Sequence, residues 1–506
     1  MLNKNIFLYL VNLFFLFEVV VYAQGNFDIV IPPSDQNHID AIFTPAIELN
    51  DSIYTFNVTD YRFKYGNASS LVKVSLKDHA SINQTFYDSI NPFLIYDLHK
   101  ANNGILACGR KFVLDDKGYS FQYGKLNNFF DTIWTKTIKT KYNSPIFRQI
   151  IELSNGNIVI VGEDCNIRST GGVYPDSCNA VFILADSLGT IIKYLNIEEA
   201  DPNNTFEVLY DLKEDLENNI YAVGKVSANT LYHRGLIIKF NPQGGIIWRK
   251  EFSEQGYSIV LSYLDELNNG TLVVIGSIGK PFFDNDPHVS HLILRIDKNG
   301  KTISTKRVYK SYGSGVQNCV IDLQGNYICA SNIQKDVSSF INGYLVKFSL
   351  NGDSIWTREF SHRDDRDEGF YNIALASDGG YYLTGLNWIS DEDHSSKGWI
   401  VKTDSNGCVV PGCATAVNVE KEYHGALFNL FPNPVSDHLS IYLNDEDLQD
   451  RRYHLKCFDQ NGRIVLTQAF SGRKTDVEVS SLIAGMYFYQ MDDGNKIVQS
   501  GKMVIR

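Results

Sequence analysis

The side chains best suited to chemistry in this 506-residue chain are its acids, and several of them stand near glycine in short polar clusters. Asp297-Lys-Asn-Gly300 and Asp404-Ser-Asn-Gly407 look like the first half of a calcium loop. A calcium loop needs several more oxygen ligands downstream and a bidentate acid at its end. Here an apolar run follows each time, so both read as hairpin turns. The eleven histidines are scattered. No nucleophile elbow, zinc-binding helix, phosphate loop or dinucleotide fingerprint occurs, so neither a catalytic residue nor a metal nor a cofactor is assigned.

Eight cysteines suit an oxidising compartment without making a disulfide-dense scaffold. Cys408 and Cys413 close a loop around Pro411-Gly412. Cys165 and Cys178 bracket a polar, glycine-containing stretch. Cys319 and Cys329 stand equidistant from a turn at Gln324-Gly325. Clustered pairs of the kind that bind zinc are missing, so these six are expected to form disulfides. Cys108 and Cys457 are expected to be buried thiols.

What must position any site is a repeat. An apolar run recurs as Leu106-Ala-Cys-Gly109, Val159-Ile-Val-Gly162, Tyr221-Ala-Val-Gly224, Val273-Val-Ile-Gly276, Tyr327-Ile-Cys-Ala330 and Tyr382-Leu-Thr-Gly385. A second run follows each, for example Gly235-Leu-Ile-Ile-Lys-Phe240 and Gly343-Tyr-Leu-Val-Lys-Phe348. A third segment ends in forms such as Ile247-Trp-Arg-Lys-Glu-Phe252. Aligned on that segment, Asn83, Trp134, Lys193, Trp248, Ser304 and Trp356 are spaced by 51, 59, 55, 56 and 52 residues. A period near fifty without helical patterning argues for four short strands per unit, the blade of a β-propeller. The two apolar runs suit strands covered on both faces, and the alternating third segment suits a half-wet outer strand. With the strands named A to D from the axis outward, A is expected to carry small residues, as in Ala374-Leu-Ala-Ser377.

Seven units are counted, from Ala46 to Thr403, the last lacking strand D. Phe27–Ile31 is expected to supply it and close the ring, since an open sheet edge invites aggregation. The predicted fold is all-β: a seven-bladed propeller at 24–403, a linker at 404–425 and a small β-sandwich at 426–506.

Function concentrates on variable loops over a rigid scaffold. In such a meander the B–C and D–A loops emerge on one face, and they are the long ones: Glu163–Asn179, Ser277–Ser290, Asn387–Lys397 and Ser361–Glu368. Tyr174, Phe282, Phe283, Trp388, Asp391, Asp393 and His394 on this face are the candidate ligand contacts. Three classes stay open. The first is a non-catalytic module binding an extracellular glycan or protein. The second is a glycan-directed hydrolase or lyase with acids around the axial channel. The third is a structural surface component. Two or more acids converging with an Arg or His would favour the enzyme, and an aromatic-lined groove on the long-loop face would favour binding. The net charge of −12 argues against nucleic acid and anionic membranes, which need clustered cations.

The ends give the address. Lys4, an apolar run over 6–21 and Val21-Tyr-Ala23 before Gln24 form an export signal with cleavage expected between Ala23 and Gln24. No membrane span is expected in the mature chain. At the other end, Phe428-Asn-Leu-Phe-Pro-Asn-Pro-Val435, Phe458-Asp-Gln-Asn-Gly-Arg-Ile-Val465, Leu482-Ile-Ala-Gly-Met-Tyr487 and Lys502-Met-Val-Ile-Arg506 follow in order. These blocks resemble the type A sorting domain of the type IX secretion system. The resemblance covers roughly the last eighty residues and implies a partner, the outer-membrane translocon. It also implies that the cargo is released from a Gram-negative bacterium or held on its outer surface. It says nothing of what the cargo does. Asp-Ser/Thr-apolar triplets at Asp51, Asp88, Asp131, Asp186 and Asp353 resemble O-glycosylation acceptors of some bacteria using this route, and turn preference explains them as well.

Overall fold

The computed structural model describes most of residues 27–31, 39–409 and 428–506; the undescribed segments include 1–19, 167–176, 281–287, 391–394 and 410–427. It is all-β, with no helix among the described residues, and divides into two compact units, 1–413 and 414–506.

In the larger unit each repeat of the sequence becomes an antiparallel meander whose strands lie in chain order. One is Phe93–Ala101, Gly104–Val113, Gly118–Leu126 and Thr132–Ile138. Ser258–Glu266 to Thr302–Ser311 form another, and Val316–Ile321 to Ser354–Phe360 a third. Ser144–Glu152 to Ile191–Ile197 and Thr205–Glu214 to Ile246–Phe252 repeat the pattern, touching through one parallel bridge at Cys178 and Phe206. Strands B and C are largely apolar because sheets cover both faces. Every residue of Ser177–Ala185 is buried. A fully buried Leu, Ile or Val contributes about 1.5–3 kcal/mol.

Each apolar core is shared by two consecutive sheets, as blades of a propeller require. Val161 and Phe182 of the third repeat pack with Leu212 and Phe240 of the fourth. Tyr221 and Ile237 of the fourth pack with Leu261 and Ile278 of the fifth. The last repeat packs against the first in the same way, Tyr382 and Ile400 meeting Ile42, Ile53 and Val72. Phe27–Ile31 pairs antiparallel with Ser395–Thr403, Phe27 opposite Lys402 and Ile31 opposite Gly398.

Local devices account for the repeated residues. Trp134, Trp248 and Trp356 hold one register position, opposite Lys125, Lys239 and Lys347. The lysine of strand C reaches the acid of its own A–B turn: Lys239 to Asp215 at 3.4 Å, Lys347 to Asp322 at 2.6 Å, Lys402 to Asp378 at 2.8 Å. A glutamate ending strand A accepts a backbone N–H from the preceding sheet's turn. Glu152 takes Asn102 N at 2.7 Å, Glu214 takes Ser154 N at 2.7 Å and Glu266 takes Leu216 N at 2.9 Å. Glu48 of the first repeat takes Ser377 N of the last at 2.9 Å.

Disulfides join Cys165 to Cys178 and Cys319 to Cys329, each pair directly opposite in its ladder. Cys408 is also disulfide-bonded, and Cys413 lies outside the described residues. Cys108 and Cys457 are free and buried.

Three features differ from expectation. Strand A is not made of small residues: it carries Tyr96, Arg148, Tyr210, Gln317 and Tyr371. The first repeat's inner strand begins earlier, at Ile39–Ile42, and resumes at Ile47–Leu49; between them Thr44 Oγ1 accepts Phe56 N at 3.0 Å. The bases of the long B–C connections are themselves ladder, with Asn387 paired to Lys397 and Asn166 to Ser177.

The smaller unit is a sandwich. Phe428–Phe431, His438–Leu443 and Lys474–Glu478 form one sheet. Ile464–Phe470, Tyr453–Phe458, Gly485–Asp492 and Ile497–Ile505 form the other. Phe428, Leu439, Leu455, Met491 and Met503 share its core. Val435 bonds to both Val504 and Arg506, which fixes the last residues in place.

Candidate functional site around the axial bulges

Six inner strands carry one extra residue at the same place. The register slips at Tyr96, Arg148, Tyr210, Ser262, Gln317 and Tyr371, each a β-bulge against strand B. A bulge re-aims a side chain that regular alternation would send into the next sheet. The cause is legible in strand B. Gly109, Gly162, Gly224, Gly276 and Gly385 lie opposite the residue before each slip, and a Cβ there would overlap an inner-strand carbonyl. In the sixth repeat Ser331 takes that place, opposite Val316.

Three consecutive bulge residues, Tyr210, Ser262 and Gln317, line one cavity of about 350 Å³, together with Ser258, Ser277 and Lys280. It opens beside the ends of Leu272–Gly279 and Val289–Ile296, so it lies on the B–C-loop side. Its walls are held by polar bonds: Ser262 Oγ donates to Val316 O and Ser277 Oγ accepts Val316 N, both at 2.9 Å. Next along the ring, the Arg148 guanidinium sits 5.6 Å from the centre of the Tyr210 ring. It also forks onto Glu163, with Nε 3.0 Å from Oε2, and keeps 38 % of its side chain exposed. Serine hydroxyls, a glutamine amide, a tyrosine face and two cations suit a hydroxyl-rich ligand that offers both donors and a flat apolar patch.

Among the described residues, the carboxylates on this side are committed. Glu163 belongs to Arg148, and Glu207 takes Arg249 at 2.6 Å. Glu368 receives Asn387 Nδ2 at 2.5 Å and the His362 backbone N–H at 2.8 Å. His362 also touches Asp28 at 3.0 Å, and Asp28 accepts Trp399 Nε1 at 2.7 Å. Burial would lower the His362 pKa, but Asp28 and Glu368 outweigh it and leave it at about 10, so the imidazole is charged.

Deeper along the axis, Asp97, Gln149 and Asp211 follow successive bulges and reach across to the next sheet. Asp97 Oδ2 accepts Ile150 N at 2.9 Å, Gln149 Oε1 accepts Leu212 N and Asp211 Oδ2 accepts Leu264 N at 2.7 Å. Burial pushes Asp97 up to about 8 and Asp211 to about 7, against the pull of those N–H donors.

Tyr174, Phe282, Phe283, Asp391, Asp393 and His394 lie outside the described residues, as do Ala23 and Gln24 and the side chain of Trp388. Sequence reasoning missed the bulge residues; the glycine closing each B-strand run was their signal. Of the Asp-Ser/Thr triplets, those at Asp131, Asp186 and Asp353 sit at equivalent C–D turns, while Asp51 and Asp88 lie outside the described residues. Among the described residues no group of three or more His, Cys, Asp or Glu could hold a metal, and no helix is long and apolar enough to cross a membrane.

No curated protein matches the chain in sequence. Among solved structures it resembles a protein of unknown function from Dyadobacter fermentans, at 10 % identity over 74 % of this chain and 97 % of that one, TM-score 0.43. It also resembles the α-L-arabinanase of Penicillium chrysogenum, solved with arabinobiose, at 12 % identity over 75 % and 98 %, TM-score 0.41. A third likeness is the β-propeller domain of the Trilobed protease of Pyrococcus furiosus, at 10 % identity over 72 % and 98 %, TM-score 0.38. With scores this low, the fold rests on the strand pairings described above. Residues 429–506 match the secretion system C-terminal sorting domain, so this β-propeller chain carries the domain that marks a protein for secretion or cell-surface attachment.

Proposed function

We propose that the chain is an exported seven-bladed propeller that binds an extracellular ligand, a glycan or a hydroxyl-rich protein surface, in the axial cavity of its long-loop side. The ring closes through Phe27–Ile31. Glu48 acting on Ser377 as Glu214 acts on Ser154 supports that closure. In this reading residues 1–23 are removed at Ala23–Gln24, 24–403 form the ring, 404–425 the linker and 426–506 the domain read by the type IX translocon.

The observation that carries the binding reading is the cavity lined by the bulge residues Tyr210, Ser262 and Gln317. Among the described residues Glu163, Glu207 and Glu368 are paired to Arg148, Arg249 and His362, which supports recognition over acid–base chemistry. The test is an array of glycans and host proteins probed with the chain from Gln24 to Arg506, then with Tyr210→Ala and Arg148→Ala. The reading expects a defined class of hits that both variants weaken at least tenfold. Hits unchanged in both variants would overturn it. A hydrolase or lyase is favoured instead if a hit is cleaved and Asp97→Asn with Asp211→Asn abolishes turnover while binding persists.

A further inference from the structure

The opposite end of the axis holds a second cavity, of about 670 Å³, at the A–B-turn side. That volume is within the roughly 300–1,000 Å³ of sites that take small organic ligands. Its wall comes from the first, second, sixth and last repeats, and Pro45, Ile47, Leu98, Leu323 and Leu375 supply its apolar part. Leu323 stands at a turn tip, is 73 % exposed and adds aliphatic surface to the rim.

The polar lining holds one acid and one lysine with different surroundings. Glu48 is already occupied, bonded to Ser377 N and Oγ and, at 3.0 Å, to the Tyr382 hydroxyl. Lys100 lines the same cavity, is exposed and makes no ion pair among the described residues. Beside it His99 is kept neutral by burial, which outweighs the pull of Glu152. The wall therefore offers apolar surface and a lysine with no ion pair among the described residues, while the Glu48 oxygens are turned onto Ser377 and Tyr382.

We propose that this cavity binds a monoanionic amphiphile, an aliphatic carboxylate whose chain lies on Ile47, Leu98, Leu323 and Leu375 and whose head meets Lys100. Because its walls come from both the first and the last repeat, the bound molecule also fastens the seam between them.

The test is calorimetric titration of the full chain with dodecanoate below its micelle concentration. Saturable one-to-one binding is expected. Lys100→Glu and Leu323→Asp should each weaken it at least tenfold, while Leu216→Asp, on an exposed turn outside the cavity, should leave it unchanged. The bound carboxylate should raise the melting temperature followed by tryptophan fluorescence. Absence of saturable binding to the wild-type chain overturns the assignment. So does equal affinity for dodecyltrimethylammonium, or binding that survives both cavity variants. Tryptophan melts without ligand show whether each variant is folded, and Lys100→Gln, which adds no new charge, serves in place of a variant that is not.

Discussion

Asp97→Asn isolates the cost of keeping a carboxyl group next to the axis. The residue is 7 % exposed, and its Oδ2 accepts from Ile150 N at 2.9 Å. Burial raises its pKa from 3.8 to about 8. Between those values the unfolded chain ionises while the folded chain keeps the proton. The folded state therefore binds more protons, and stability falls as pH rises through that window by up to about 1.4 kcal/mol per unit. From pH 5 to pH 7 this one group removes up to roughly 3 kcal/mol by the same relation, and Asp211, raised to about 7, adds to the slope with the same sign. Asparagine keeps the shape and an oxygen for Ile150 N–H but cannot ionise. The variant should match the wild type near pH 4–5, exceed it by about 1–3 kcal/mol at pH 7 and lose roughly half of the excess slope. Urea unfolding followed by tryptophan fluorescence reads this cleanly, because all five tryptophans lie before residue 400, in the larger unit. Wild-type and variant curves that stay parallel from pH 5 to pH 7 would refute the reasoning.

Glu48→Ala leaves Ser377 N and the Tyr382 hydroxyl without their partner and should cost about 1–3 kcal/mol; hydrogen exchange should rise first in residues 44–58 and 376–384. Glu266→Ala breaks the equivalent bond to Leu216 N at an interior junction and should leave exchange at the seam unchanged. Replacing Cys165 and Cys178 by alanine opens a loop of 13 residues and should cost about 3 kcal/mol in urea unfolding, with no change for the smaller unit. Deleting 429–506 should stop release to the medium or surface, scored by cell fractionation, and leave the tryptophan-detected melt of the larger unit where it was.

The period, the burial of strands B and C and the register of the tryptophans were legible because each follows from a local pattern. Trp248 and Trp356 sit opposite Lys239 and Lys347, and both members of each pair recur in the sequence at the same offset. The inner strands were misread because the crowding argument leaned on Ala374 and Ala376 alone. A bulge adds one residue without altering composition, so Arg148 and Tyr210 look like ordinary alternating positions until their partners are known. The glutamate bonds were invisible for another reason. Glu48 and Ser377 are 329 residues apart, and no local signal says that the first turn meets the last.

The extra residue in the inner strands separates two jobs that a regular strand would force on the same side chain. Neighbours such as Leu209 and Leu261 stay in the packed interior, while Tyr210 and Ser262 leave the ladder and line the cavity. Tyrosine, arginine, serine and glutamine occupy these places in different repeats, so the bulge position varies in chemistry while the leucine or other apolar neighbour before it keeps the sheets packed.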